Sequence, residues 1–222
     1  MEQTNMILVI GSEKGGCAKS TLAINLSIVS ILRGVDTLLV DADIQGSCNE
    51  FSQRRDELGI EPRIQVMMKQ GRNLHRELSD LKNRYQRIIV DTGGRDSPEL
   101  RSSLLVADVV LIPVQPTQLD LWATEKAFQV TSTAQDLNPN LQTLVVITRA
   151  HTNLLVTTAR DATNFLSDFS DVNLCRTIIH ERLAWQKSIL EGRSVVELRD
   201  SKASTEIKLV YGEIFDGRVS KV

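Results

Sequence analysis

The segment Lys14–Thr21, KGGCAKST, lies between a short apolar run, Met6–Ile10 (MILVI), and a stretch of helical character, Ser20–Arg33. No other feature constrains the fold as tightly. Small residues between a strand and a helix let the backbone turn sharply, so that successive N–H groups point inward and form an anion-binding concavity. A helix starting at Ser20 adds the positive end of its dipole. Lys19 has the reach to meet the β- and γ-phosphates of a nucleotide, and the Ser20 hydroxyl is placed to ligate Mg²⁺. The segment therefore reads as a phosphate loop through Gly15, Gly16, Cys17, Ala18, Lys19, Ser20 and Thr21.

The flanking pattern sets the architecture. MILVI suits a strand buried on both faces of a parallel sheet. Leu22, Ile24, Leu26, Ile28, Val29 and Leu32 make the next helix apolar on most sides, and Gly34 ends it. Further strands are predicted at Thr37–Val40, Ile64–Met67, Arg87–Val90, Val109–Val114, Leu144–Thr148 and Leu174–Ile179. Helices are predicted at Ser47–Leu58, Asn73–Lys82, Pro98–Leu105, Leu119–Leu137, Leu154–Phe169, Leu183–Glu191 and Lys202–Phe215. This alternation implies an α/β fold, a P-loop NTPase with a mainly parallel twisted sheet flanked by helices on both faces. The 222 residues hold no repeat, low-complexity segment or linker, so one domain over 1–222 is expected.

Composition removes several classes. Hydrophobic residues at 41% and charged residues at 24% are ordinary for a soluble globular chain. Aromatics at 4% argue against stacking of many bases. A net charge of −2, from 26 basic and 28 acidic residues, does not suggest a dedicated polyanion binder. Cys17, Cys48 and Cys175 form no CxxC and read as reduced thiols of a cytoplasmic protein. No apolar run approaches the roughly 20 residues that cross a bilayer, so any membrane contact is expected to be peripheral.

A phosphate loop that hydrolyses its ligand needs carboxylates at neighbouring strand ends. Asp41-Ala42-Asp43 and Asp91-Thr92-Gly93-Gly94 each follow a predicted strand, although either alone also reads as an acidic turn. Lys14-Gly15-Gly16-x-x-Lys19-Ser20-Thr21 resembles the deviant Walker A box, KGGxGKS/T, of the ParA/MinD family of ATPases. The resemblance implies ATP or ADP and Mg²⁺ as cofactors, a homodimer formed on ATP binding, and slow, partner-stimulated hydrolysis. It implies that Lys14 reaches across the dimer to the partner's ATP and that Lys14 and Lys19 both offset charge on the γ-phosphate. Asp41 to Gln45 resembles the DxDxQ switch I, with Asp43 orienting the attacking water or holding Mg²⁺ through water and Asp41 supporting the metal site. Asp91 to Gly94 resembles the Walker B/switch II box, with Asp91 near the Mg²⁺ shell and the Gly94 N–H near the γ-phosphate. Thr148-Arg149 falls where the family places residues against the adenine. One departure stands out: the family carries glycine at the position of Ala18. A methyl group there is strained if the backbone needs positive φ and harmless otherwise.

Two stretches resemble the small plasmid-partition ATPases of the ParF-like branch. Arg95-Asp96-Ser97 with Glu99-Leu100-Arg101 matches GRDSxELR, and Gln115 to Trp122 matches PxQPSxxDxW, which in the family lies near the dimer face and the nucleotide. Arg95 and Arg101 read equally as solvated surface. Trp122 reads as core packing, as does the Arg182-Leu183-Ala184-Trp185 segment, which resembles that branch's R-x-A-W. ParA relatives bind DNA without sequence preference when ATP-bound. The candidates here are Arg193, Arg199, Lys202, Lys208, Arg218 and Lys221, interspersed with Glu197, Asp200 and Glu206. MinD relatives carry a C-terminal membrane helix. Ala203, Ile207, Val210 and Ile214 form a stripe, but the polar face has few lysines and Gly212 interrupts it, so this helix is expected to pack on the domain, with no membrane partner. The chain begins almost at its first strand, so no operator-reading extension is expected. The resulting expectation is a partition ATPase that binds non-specific DNA and positions plasmid or chromosomal cargo through a small centromere-binding adaptor protein, nucleoid-associated if DNA binding holds. Two alternatives stay open: a positioning ATPase for a non-DNA protein assembly, and a dimerisation module with little hydrolysis. An iron-protein reductase is disfavoured, because Cys48 and Cys175 lack cluster spacing.

Overall fold

The computed structural model describes residues 5–94, 96–153, 155–169 and 172–217. The chain runs β1 (Met6–Ser12), α1 (Lys19–Leu32), β2 (Thr37–Asp41), α2 (Ser47–Glu57), β3 (Gln65–Met68), α3 (Leu74–Lys82), β4 (Arg87–Gly94) and α4 (Pro98–Leu104). It continues with β5 (Val109–Val114), α5 (Gln118–Gln135), β6 (Gln142–Ile147), α6 (Thr158–Ser167), β7 (Asn173–Leu174), α7 (Leu183–Leu190) and α8 (Ser201–Phe215). A 3₁₀ turn at Val195–Glu197, not expected from the sequence, precedes α8.

The strands form one sheet in the order β3-β2-β4-β1-β5-β6-β7, with every pairing parallel. Parallel neighbours need long crossovers, and the helices supply them on both faces. In β1, Leu8 and Ile10 pack with Leu22, Leu26, Phe51 and Ile207, on the side of α1, α2, α7 and α8. Ile7 and Val9 pack with Leu78, Leu104, Phe128 and Leu166, on the side of α3 to α6. The continuous apolar reading of β1 is thus explained: both faces of the strand are interior.

Local signals set several boundaries. Gly34, at φ 76°, closes α1 as its Cʹ residue, its N–H donating to the Ile31 carbonyl. Ser97 caps α4 by accepting from Leu100 N at 3.1 Å, with Pro98 in the first turn. Asp200 caps α8 through the amides of Lys202 and Ala203, both at 2.9 Å. Helix α8 lies on the domain as expected, with Ala203, Ile207, Val210 and Ile214 buried in the core. Among the described residues no helix is long and apolar enough to cross a membrane.

Three expectations need correction. Trp122 is not core but 57% exposed, because α5 buries Leu121, Thr124, Phe128 and Thr131 and Trp122 is turned about 100° from Leu121. The helix expected over Leu154–Phe169 begins only at Thr158. Ahead of it, Asn153 N donates to His151 Nδ1 and Leu155 N to Asn153 Oδ1, local bonds that compete with a helix. The strand expected over Leu174–Ile179 shrinks to Asn173–Leu174, plus an isolated bridge between Ala150 and His180. Its middle is diverted because the Glu213 carboxylate takes the amides of Arg176 and Thr177, at 2.6 and 3.0 Å.

A buried ion pair ties α2 to the 3₁₀ turn. Arg55 is 0% exposed; its guanidinium forks onto Glu197 at 2.8 and 2.7 Å and also donates to the Gly192 and Pro62 carbonyls. Removing one partner strands a buried charge, so Glu197→Ala is expected to lower the unfolding free energy by about 3–5 kcal/mol in urea titrations. A loss below about 1 kcal/mol would show that water reaches Arg55 in the variant.

Candidate nucleotide site

The loop between β1 and α1 turns through two left-handed residues, Gly16 at φ 80° and Ala18 at φ 74°. The sign of φ at Ala18 is therefore the unfavourable one, where an L-residue with a Cβ costs about 1–2 kcal/mol. Neighbouring segments hold the loop in place. Thr148 Oγ1 donates to the Cys17 carbonyl at 3.1 Å, and Arg149 Nη1 and Gln115 Nε2 donate to the Gly16 carbonyl at 2.9 and 3.1 Å. Leu22 N donates to the Ala18 carbonyl, starting α1. Lys19 is buried, and its ammonium spans the loop, donating to the Lys14 carbonyl and to Ser12 Oγ, each at 3.2 Å.

Two further segments close on the loop. A Cβ at Gly94 would lie 3.1 Å from Gly15 N, so any other residue would push the loop back by a few tenths of an ångström. A Cβ at Gly93 would lie 3.4 Å from Asp43 Oδ1, which puts the end of β4 against the Asp41–Asp43 turn. Asp41 is fully buried and accepts from Asp43 N at 3.3 Å and Asn49 N at 2.9 Å; burial raises its pKa. Asp43 lines the open pocket and accepts from Gln45 N at 3.1 Å. Asp91 is fully buried, and Oδ2 accepts from the Cys48 thiol at 3.3 Å. Burial pushes the Asp91 carboxyl up to about 6, against the opposing pull of the nearby Ser20 hydroxyl and the Cys48 thiol. Burial also pushes the Cys48 thiol well up, which keeps it an S–H donor.

These residues fit a magnesium nucleotide. Asp91 Oδ1 is buried with no hydrogen-bond partner, an acceptor that a cation or its bound water would satisfy. Among the described residues no group of three or more His, Cys, Asp or Glu is arranged to hold a metal by itself. Mg²⁺ keeps several waters and takes one or two protein ligands beside the phosphates, a demand that the unpartnered Asp91 Oδ1 and the Ser20 hydroxyl can meet.

The pocket has a volume of about 1000 Å³. It is lined by Gly15, Gly16, Ala18, Lys19, Ser20 and Thr21 of the loop, by Asp43, Gly93 and Gly94, and by Arg149, Ile179, His180, Glu181, Trp185, Gln186 and Ile189 from the second half of the chain. Several residues singled out from the sequence do not reach it with their side chains. Cys17 is buried against Ser12 Oγ at 2.8 Å. Thr148 is buried and braces the loop, while Arg149 does line the pocket and pairs with Glu181 at 2.7 Å. Asp41 holds the start of α2 through Asn49. Lys14 lines a separate small cavity, where its ammonium pairs with Asp120 at 3.5 Å.

Asp120, within the PxQPSxxDxW-like segment, emerges as the partner of Lys14, a pairing the sequence does not show. The wall formed by Ile179, His180, Glu181 and Trp185 is not legible in the sequence either, where the R-x-A-W segment, its one signal, reads as packing. The proposed DNA contacts do not form one stripe. Arg193 is half-buried and Arg199, Lys202 and Lys208 are exposed, but Lys202 and Lys208 point about 120° apart around α8. Arg95, Arg218 and Lys221 lie outside the described residues. Arg101 pairs with Asp96 at 2.6 Å on the surface.

Two measurements check the site's energetics. Ala18→Gly relieves the left-handed strain but frees the unfolded chain by about 0.4–1 kcal/mol, so a net gain of up to about 1 kcal/mol is expected in urea unfolding. A loss would show that Ala18 is not left-handed in solution. For Asp91, the folded pKa of about 6 lies above the ordinary 3.8, so the folded state holds the proton more tightly. That contribution is complete below pH 3.8 and is lost as pH rises through 6. Asp91→Asn stays neutral throughout, so its stability relative to the unliganded wild type should rise between pH 4 and pH 7, on the order of 3 kcal/mol. Parallel urea curves at the two pH values test this, and a constant difference would contradict it.

Comparison with known proteins matches this geometry. The CobQ/CobB/MinD/ParA nucleotide binding domain family matches residues 8–195. The "Maintenance of carboxysome distribution protein A" of Halothiobacillus neapolitanus is 26% identical over 93% of this chain and 95% of its own length. The septum site-determining protein MinD of Pyrococcus horikoshii OT3, solved with Mg-ADP, superposes with a TM-score of 0.76 at 20% identity, over 98% of this chain and 99% of that one. A Borrelia burgdorferi B31 protein assigned to plasmid partition, solved with AMPPNP, superposes with a TM-score of 0.71 at 22% identity, over 96% of this chain and 99% of that one. The structural likenesses establish the P-loop NTPase fold, and with the family match over most of its length, this chain belongs to the CobQ/CobB/MinD/ParA nucleotide binding domain family.

Proposed function

We propose that this chain is a positioning ATPase of the ParA/MinD type, which dimerises around ATP and Mg²⁺ and uses hydrolysis to release its grip on a cellular scaffold. The observation that carries this reading is the division of labour between two lysines. Lys19 lies across the loop of its own protomer. Lys14 leaves that pocket and pairs with Asp120, 41% of its side chain still exposed. A cation outside its own pocket is available to the nucleotide of a second subunit.

In this reading the loop amides and Lys19 hold the β- and γ-phosphates, and Ser20 and Asp91 hold the metal. Bound Mg²⁺ supplies charge neutralisation between those phosphates. Asp43 orients the attacking water, the Gly94 N–H faces the γ-phosphate, and Asp41 keeps the Asp43 turn in register with α2. Catalysis is positional and electrostatic, so a small displacement of Ala18 lowers turnover more than it lowers binding. The nucleotide complexes of the MinD and Borrelia proteins support the choice of ligand.

The scaffold in this reading is DNA held without sequence preference, touched by basic residues around α8 such as Arg199, Lys202 and Lys208, and the cargo is a plasmid or chromosome joined through a small adaptor in the cytoplasm. The name of the Halothiobacillus relative favours a second reading, in which the cargo is a protein assembly. Stimulation of hydrolysis by an adaptor that binds centromere DNA supports the first; stimulation by one that binds the surface of an assembly supports the second.

ATPase rates and DNA retention with ATP and with ADP test the reading. Lys19→Ala is expected to lower turnover by about 10²–10³-fold. Lys14→Ala is expected to abolish ATP-dependent DNA retention while leaving the ADP baseline unchanged. DNA retention indifferent to the nucleotide in the wild type would overturn the proposed switch.

A further inference from the structure

We propose that Glu206, on α8, is a positioning residue for the nucleoside end of the pocket; this rests on the nucleotide reading above. The phosphate loop fixes which end of the pocket takes phosphate. The rest of the ligand must extend along the remaining lining of the pocket, which Ile179, His180, Glu181 and Trp185 share. That wall is irregular chain. Strand β7 stops at Leu174, and sheet-like pairing resumes only at the single bridge between Ala150 and His180. Backbone bonds to Ile147 and Ala150 fix Ile179 and Glu181, whereas the side chains of His180 and Arg182 are held by a carboxylate.

Glu206 supplies it. Its carboxylate is 11% exposed and lies beneath the wall. Oε2 accepts from the His180 amide at 3.2 Å, and Oε1 lies 2.8 Å from His180 Nδ1. Arg182 Nη2 donates to Oε1 at 2.6 Å. One carboxylate therefore grips both residues that flank Glu181. The grip extends one step further: Trp185 Nε1 donates to the His180 carbonyl at 3.0 Å, which orients the indole on the pocket wall. Glu181 N donates to the Ala150 carbonyl at 2.9 Å, anchoring the same turn to the end of β6. Charge-assisted bonds in a partly dry site hold geometry more firmly than neutral ones. Glu206 itself makes none of its bonds to Lys14–Thr21; the link to the loop runs through the Glu181–Arg149 pair at 2.7 Å, whose guanidinium donates to the Gly16 carbonyl at 2.9 Å, so the phosphate end lies further from Glu206 along the network than His180 and Arg182 do.

That separation defines the test. Calorimetric titrations of Mg·ADP and Mg·pyrophosphate are compared for the wild type, Glu206→Gln, Arg182→Met and Trp185→Phe. The wild type is expected to bind ADP more tightly than pyrophosphate. Glu206→Gln is expected to weaken ADP by about tenfold or more while pyrophosphate stays within about twofold. Arg182→Met and Trp185→Phe remove the neighbouring bonds one at a time, should weaken ADP in the same selective way, and carry the test if Glu206→Gln does not fold. Equal weakening of both ligands, or unchanged ADP affinity in every variant, would overturn the role of Glu206. A wild type that binds ADP no more tightly than pyrophosphate would also overturn it. A wild type that binds neither ligand would instead overturn the nucleotide reading.

Discussion

The end of β4 presses against the phosphate loop, and the site depends on that contact. Strands β1 and β4 run parallel with Ile10 opposite Asp91, and the register shifts before Ser12 meets Gly94. The shift carries Gly94 up to the Gly15 amide, so close that a Cβ there would crowd the loop backbone. The same pairing brings Asp91 near Ser20 and sets Gly93 beside Asp43. Parallel topology makes this possible, because all the strands end on one edge of the sheet and their loops converge there. The phosphate loop, Asp91 and the Asp43 turn are then brought together by one register.

The loop itself is held under strain. Ala18 occupies a left-handed conformation that glycine would adopt freely, and contacts from outside the loop maintain it. Thr148 and Arg149 follow β6, and Gln115 follows β5; all three bind loop carbonyls, which leaves the inner side free for a ligand. Arg149 itself has φ 54°, a second strained residue in the same brace. Such strain persists only where the surroundings over-determine the backbone, and here two neighbouring strands do so. The shape of the loop is then tied to how rigidly those strands are packed, since any slack would let Ala18 relax toward negative φ.

Much of the fold was legible in the sequence, for a physical reason. Strands such as Ile7–Ile10 and Ile88–Val90 are buried on both faces, so they stand out as unbroken apolar runs. Helix α8 was correctly placed on the domain because its apolar stripe lacked the basic flank of a membrane surface. Trp122 was misassigned because an aromatic on an amphipathic helix looks interior, whereas its position about 100° from Leu121 turns it outward. The segment after Leu174 was misjudged because its amides bind Glu213, nearly forty residues later, and no local pattern announces a distant carboxylate. The phosphate half of the site was readable because backbone geometry there demands particular small residues at fixed spacing. The other wall of the pocket was not, because His180 is held by Glu206, Trp185 by the His180 carbonyl and Ile179 by backbone bonds to Ile147 and Ala150, and such tertiary bonds leave no periodic trace. Thr148 illustrates the middle case: its importance was visible, but its hydroxyl faces the loop and not the base.

The most direct test of the switch is the mass of the protein in solution with ADP and with a non-hydrolysable ATP analogue, both with Mg²⁺, for the wild type and Lys14→Ala. A cross-subunit role for Lys14 predicts a dimer only for the wild type with the ATP analogue, while Lys14→Ala binds the analogue and stays monomeric. A wild type whose mass is the same with both nucleotides, or a Lys14→Ala protein that dimerises as the wild type does, would contradict it.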